Sequence, residues 1–175
     1  TTGIMRTTMA VAMVLWLGVN AVCAQALTAI TPGEVWPDDK GEHINAHGGG
    51  VIYHEGTYYW YGENRPARGF TTAVGVGVYS SKDLMNWKNE GVALAVSETK
   101  GDVIERGCIM ERPKVVYNPT TKKFVMLCHL ELKGRGYEAA RVGFAVSDTP
   151  TGPFKFIRSL RPNAGKWPMD FTKRD

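Results

Sequence analysis

Two stretches of the chain repeat each other at a distance that points to a modular fold. "VYSSKDLMNWK" (78–88) matches "AVSDTPTGPFK" (145–155), with serines at Ser80 and Ser147, aromatics at Trp87 and Phe154, and lysines at Lys88 and Lys155. Upstream, "GVIYHEGTYYWY" (50–61) matches "KVVYNPTTKKFVML" (114–127), with a longer turn in the second copy. The period is roughly 65 residues, long for a repeat unit but of that kind. Each copy holds short runs rich in β-branched and aromatic residues: "GVIYH", "TYYWYGE", "AVGVGVYSS" and "EGVALAV", then "ERPKVVYN", "KFVMLCHLEL", "RVGFAVSD" and "FKFIRSL". Glu55-Gly56, "NPTTK" and "TPTGP" supply the turns between them. No segment shows the period of an amphipathic helix. Four strands in up-and-down order, repeated, predict an all-β protein in which each copy is one blade of a β-propeller.

The repeat register carries functional information. With Gly50-Val51 set on Lys114-Val115, His47 falls on Glu111, and "MD" (169–170) takes the place of "ME" (110–111) at the opening of a third unit. First strands of blades line the propeller axis, so His47, Glu111 and Asp170 are expected to point into one funnel. Loops and strand ends around such an axis are where ligands bind. The run Gly48-Gly49-Gly50 is costly to order and marks a close approach to the backbone. Two readings stand: the glycines open the funnel wall to a ligand, or they relieve crowding where inner strands converge.

The beginning of the chain reads as a leader rather than as fold. Arg6 precedes the apolar run "MAVAMVLWLGV" (9–19) and the small-residue site Ala24-Gln25-Ala26. That is the layout of a signal peptide, too short for a comfortable membrane span. Residues 1–26 are therefore assigned to the leader with a few upstream residues, and residues 27–175 to the propeller. Lipidation through Cys23 is disfavoured by the preceding Val22. The destination is extracellular or periplasmic. The formal net charge is +4 with no long Lys/Arg run, which argues against nucleic acid or acidic lipid as partner. Cys108 and Cys128 could pair in an oxidising compartment. A hairpin between them would not set them opposite each other, and two separately buried thiols is the preferred reading.

Together, "HINAHGGGVIYHEGTYYWYGE", "GVGVYSSKDLMNWKNEG", "ERPKVVYN", "VGFAVSDTPTGPF" and "PMDFT", in this order, resemble the N-terminal part of family 43 glycoside hydrolases. The resemblance is to the branch with exo-β-1,3-galactanases and related β-galactosidases, from about Trp36 to Asp175. It implies a five-bladed β-propeller, of which this chain covers about two blades and the start of a third. It also implies hydrolysis of glycosidic bonds in plant-type polysaccharide side chains, at terminal β-1,3-linked galactose, with inversion. An oligo- or polysaccharide is then the partner. In such chemistry one carboxylic acid protonates the leaving oxygen while a carboxylate activates water from the other side.

The resemblance assigns residues only in part. Asp170 in "MDFT" matches the Asp that tunes the general acid. The family's usual base position falls within "NAHGGG", which holds Asn45, Ala46 and His47 but no Asp, a departure that the galactanase-like branch shares. Glu111 in "ERPK" is the best carboxylate for activating water or holding a hydroxyl, and Glu63 is second. His47, Trp60, Tyr61 and His129 are candidate pocket walls, although Trp60 and Tyr61 cannot face the same way along one strand. The general acid is expected beyond Asp175, so the chain reads as an N-terminal fragment, inactive and prone to aggregate by itself. No cofactor is implied. Some relatives carry a structural calcium, but no EF-hand loop is present here. Alternatives are a non-catalytic carbohydrate-binding propeller, a purely structural one, and an arabinofuranosidase or xylosidase of the same family. The missing first-blade Asp speaks against the last.

Overall fold

The computed structural model describes residues 26–66 and 72–162. The leader through Gln25 and Asp170 lie outside the described residues. Among the described residues eight strands follow one another: β1 (His47–His54), β2 (Thr57–Asn64), β3 (Gly75–Ser81), β4 (Lys88–Ala95), β5 (Ile109–Asn118), β6 (Lys123–Glu131), β7 (Arg141–Ser147) and β8 (Lys155–Leu160). They form two four-stranded sheets in the orders β1-β2-β3-β4 and β5-β6-β7-β8, with every neighbouring pair antiparallel. These are the two predicted propeller blades. No helix among the described residues is long and apolar enough to cross a membrane.

The turn chemistry acts as the sequence suggests. Glu55 (φ 45°) and Gly56 (φ 75°) both adopt the left-handed region, the requirement of a two-residue type I′ hairpin whose twist matches its strands. In the second blade, the Asn118 carboxamide Oδ1 accepts Thr120 N–H at 3.0 Å and Thr121 N–H at 3.2 Å to hold the longer turn. One pairing shifts by a residue. Ser81, rather than Ser80, is the counterpart of Ser147: Ser81 lies opposite Tyr58 and Ser147 opposite Phe124. Each hydroxyl accepts the N–H two residues on, from Asp83 and Thr149, both at 3.1 Å. Ser80 instead donates to Glu90 Oε1.

Strand alternation gives each blade two apolar faces, and the chain covers one pair of them internally. Ile52, Tyr59, Tyr61, Val76 and Val78 of the first blade meet Val115, Phe124, Met126, Cys128, Leu130, Ala145 and Phe154 of the second in one core. The other face of the first blade is covered by the segment ahead of β1. There Ile44, Ala46 and Trp36 pack with Tyr58, Trp60, Tyr79 and Trp87. Trp36 donates its indole N–H to Met85 O at 2.8 Å, which pins that segment. Cys108 and Cys128 are buried and free. Burial raises their thiols to about 11 and about 12, in keeping with two inert thiols.

Candidate active site

The inner strands β1 and β5 break register at the same place. Pairing of β1 with β2 skips from His47 to Gly50, and pairing of β5 with β6 skips from Glu111 to Lys114. The residue after each break is left-handed: Gly48 at φ 60° and Arg112 at φ 52°. A bulge of this kind bends its strand and re-aims the side chain before it. Arg112 holds this conformation without a glycine's freedom, a strain typical of functional sites. Its N–H is thereby turned onto Glu63 Oε1 at 3.4 Å.

The bulges place a histidine–carboxylate pair in each blade, with the two residue types exchanged between strands. His47 on β1 faces Glu63 on β2, and Glu111 on β5 faces His129 on β6. The Nδ1–carboxylate separations are 3.4 Å and 3.3 Å. Arg65, just past β2, joins the two pairs. Its Nη2 is ion-paired with Glu63 Oε2, lies 3.2 Å from His47 Nδ1 and 3.9 Å from Glu111 Oε1. Asn45 holds the Arg65 backbone, donating to its carbonyl at 2.8 Å and accepting its N–H at 3.1 Å.

The second half of the site extends inward from Glu111. Tyr137 Oη donates to Glu111 Oε1 at 2.7 Å. Burial of the hydroxyl, followed by the Glu111 acceptor, pushes the phenol up to about 12. His129 Nε2 is 2.7 Å from Glu131 Oε1. Glu63, Glu111 and Glu131 are 2%, 5% and 1% exposed, and buried carboxylates are tolerable only when paired and hydrogen-bonded. Here one guanidinium, two imidazoles, a phenol and two backbone N–H groups serve them. The His47 side chain is 68% exposed and Tyr137 48%. Fixed carboxylates therefore lie beneath two polar groups open to solvent, an arrangement suited to reading the hydroxyls of a polar ligand.

The candidates from sequence separate into three groups. His47, Glu63, Glu111 and His129 come together. Trp60 and Tyr61 are placed away from this network, and Asn45 stands beside it, holding the Arg65 backbone. Tyr61 is fully buried between the blades, its hydroxyl donating to Pro150 O at 2.7 Å. Trp60 faces the opposite way and packs at 5.7 Å from Trp36 and 5.3 Å from Trp87. Both strand faces are covered, so Tyr61 joins the core and Trp60, partly buried, packs against the second cluster. The Asn45 carboxamide is engaged by Arg65 and by Asn64 at 3.2 Å. Asp170 lies outside the described residues.

The glycine run also has its answer, and it is the crowding reading. A Cβ on Gly49 would stand 1.9 Å from Tyr61 O, one on Gly50 2.9 Å from Lys114 Cδ, and one on Gly48 3.0 Å from Glu63 Oε1. Lys114 of the neighbouring blade donates to Gly49 O at 2.9 Å. What approaches this backbone is the protein itself.

Arg65, Glu131 and Tyr137 were not anticipated. Alternation offered a signal for one of them: Glu131 sits two residues after His129 on the same face of β6, whereas Arg65 lies just past the end of β2. Tyr137 lies in an irregular connection and carries no such signal. A cleft of about 450 Å³ lies elsewhere, against Leu27, Asp83, Asn86 and Trp87 of the first blade. A shallower concavity of about 310 Å³ adjoins the site at Arg112, Lys114 and His129.

No protein-family model matches the chain, and no curated protein matches it. Solved structures do. A family 43 β-1,3-galactosidase determined with galactodeoxynojirimycin is 62% identical, with a TM-score of 0.75, over 81% of this chain and 41% of that one. An exo-β-1,3-galactanase from Clostridium thermocellum is 42% identical, with a TM-score of 0.70, over 81% of this chain and 30% of that one. An exo-β-1,3-galactanase from Phanerochaete chrysosporium, determined with galactose, is 35% identical, with a TM-score of 0.69, over 76% and 30%. The chain thus spans 30–41% of the length of these relatives. With two blades built as theirs are and identity of this order, the chain belongs to glycoside hydrolase family 43.

Proposed function

We propose that this protein is an exo-acting glycoside hydrolase that releases terminal β-1,3-linked galactose. The observation that carries this reading is the cross-blade network of His47, Glu63, Arg65, Glu111, His129 and Tyr137 in a chain 62% identical to a β-1,3-galactosidase. A galactose ring offers several hydroxyls at fixed angles. Carboxylates held by two or more partners each are oriented before the sugar arrives, which lowers the entropy that binding must overcome. Glu63 and Glu111 are the acceptors, Arg65 is the donor between them, and His47 and Tyr137 form the solvent-facing rim.

Hydrolysis proceeds by single displacement with inversion. A carboxylic acid protonates the departing oxygen while a base directs water at the anomeric carbon from the opposite face. Asp170 tunes the acid, and Glu111 holds a hydroxyl or the attacking water. No cofactor takes part, and a structural calcium near the axis is compatible with the scheme. Residues 1–26 direct export to the periplasm or the medium.

The test joins this chain to the remaining blades of the 62%-identical galactosidase and supplies β-1,3-galactotriose. Release of galactose from the non-reducing end, with inverted anomeric configuration in the first NMR spectra, supports the proposal. A folded chimera that releases no galactose, or that releases arabinose or xylose from their glycosides instead, overturns it.

A further inference from the structure

We propose that Glu131 is a positioning residue for Glu111, acting through His129 and through the loop that carries Tyr137; this rests on the reading that Glu111 faces the sugar. Glu131 is 1% exposed and lies at the end of β6, two residues after His129 and on the same face. Its Oε1 is 2.7 Å from His129 Nε2. Both of its oxygens accept the N–H of Ala140, at 3.0 Å and 2.9 Å. Ala140 is left-handed, at φ 45°, a costly conformation for a residue with a Cβ. The backbone is bent there to aim an N–H at this carboxylate.

The consequence reaches both oxygens of Glu111. A carboxylate accepts and does not donate, so the bond from Nε2 fixes a proton on that nitrogen and fixes the ring plane. His129 Nδ1 is thereby directed at Glu111 Oε2, 3.3 Å away, where a proton shared between that nitrogen and that oxygen joins the two acceptors. Tyr137, which donates to Glu111 Oε1, belongs to the connection 132–140 whose far end Glu131 holds through Ala140. One buried carboxylate therefore sets both groups that orient Glu111. Glu131 itself is buried, 1% exposed.

The experiment compares the full chain with Glu131→Gln and Glu131→Asp by nitrogen-15 NMR of the ring nitrogens, alongside titration with D-galactose. The chain has four histidines, so the ring signals are assignable. The wild-type chain should show His129 protonated at Nε2, with a low-field, slowly exchanging ring proton. Glu131→Gln should move that proton upfield or lose it to exchange, and weaken galactose roughly tenfold, the effect of one charge-assisted bond. Glu131→Asp, which keeps the charge, should restore the low-field signal in part. A wild-type His129 bare at Nε2, or ring signals unchanged in Glu131→Gln, overturns the proposal. The wild-type spectrum decides even where Glu131→Gln does not fold. The two readings separate cleanly. Ring signals that respond as expected, with no galactose binding by any chain, sink the sugar reading and leave the positioning chain standing. Equal galactose binding by wild type and Glu131→Gln, with ring signals unchanged, does the reverse.

Discussion

Replacing Arg65 by methionine tests whether the cross-blade network is a buried electrostatic unit. The Arg65 side chain is 17% exposed and Glu63 2%. Methionine keeps most of the aliphatic stem and removes the guanidinium. Glu63 then retains the Arg112 N–H at 3.4 Å and His47 at 3.4 Å, both longer than a good charge-assisted bond. Glu111 loses a positive charge 3.9 Å away. Removing one partner of a buried pair costs about 3–5 kcal/mol, because the other charge stays behind uncompensated. With a urea slope of about 2 kcal/mol per molar, the low end of that range moves the unfolding midpoint down by about 1.5 M. The double variant R65M/E63Q removes the stranded charge as well and should recover a large part of the loss. The assay is urea unfolding of the full chain followed by tryptophan fluorescence. A loss under about 1 kcal/mol for Arg65→Met, the value of an exposed pair, refutes the reasoning. So does a double variant less stable than the single one.

Gly49→Ala should destabilise far more than Gly56→Ala: the first places a Cβ 1.9 Å from Tyr61 O, the second meets nothing within 4 Å and has only its φ of +75° to overcome. The two melting temperatures decide, with Gly56→Ala expected to lose about 1–2 kcal/mol. Tyr137 should ionise only well above the ordinary tyrosine range, its phenol held up at about 12. A tyrosine raised on folding stabilises the fold below the ordinary value of about 10 and ceases to do so as pH rises through the folded value. Urea unfolding at stepped pH should therefore place the loss between those values, and Tyr137→Phe should remove it. Cys108 and Cys128, at about 11 and about 12, should resist iodoacetamide near neutral pH in the native chain and react in urea; peptide mapping that finds either rapidly alkylated in the native state contradicts their burial.

Local pattern was enough for much of this molecule. Alternation of β-branched and aromatic residues announced all eight strands, and Glu55-Gly56 announced its hairpin because few dipeptides accept two left-handed residues in succession. The repeat aligned His47 with Glu111 correctly, because both precede the same bulge. It misplaced Ser80 against Ser147 by one residue, since matching letters do not report which face a strand residue occupies, and the connection from Ser147 to Lys155 is one residue longer than that from Ser81 to Lys88. The aromatics of β2 were harder to judge. A single sequence says that Trp60 and Tyr61 face opposite ways; it does not say that both faces are covered.

The site divides along the same line. Glu111 and His47 were legible as equivalent positions of a repeat, and Glu63 and His129 as polar residues within apolar strands. Their convergence on one funnel was expected, but the way they are joined was not legible. It depends on a left-handed Arg112, on a guanidinium that crosses between blades, and on Tyr137 arriving from an irregular connection. Each of these is a long-range geometric relation, such as the 3.9 Å between Arg65 and Glu111 across the blade boundary. Period and composition along a chain set what each strand can bury. Which charges neutralise one another is settled only when separate blades pack, because the energy of a buried carboxylate depends on the distance to partners remote in sequence.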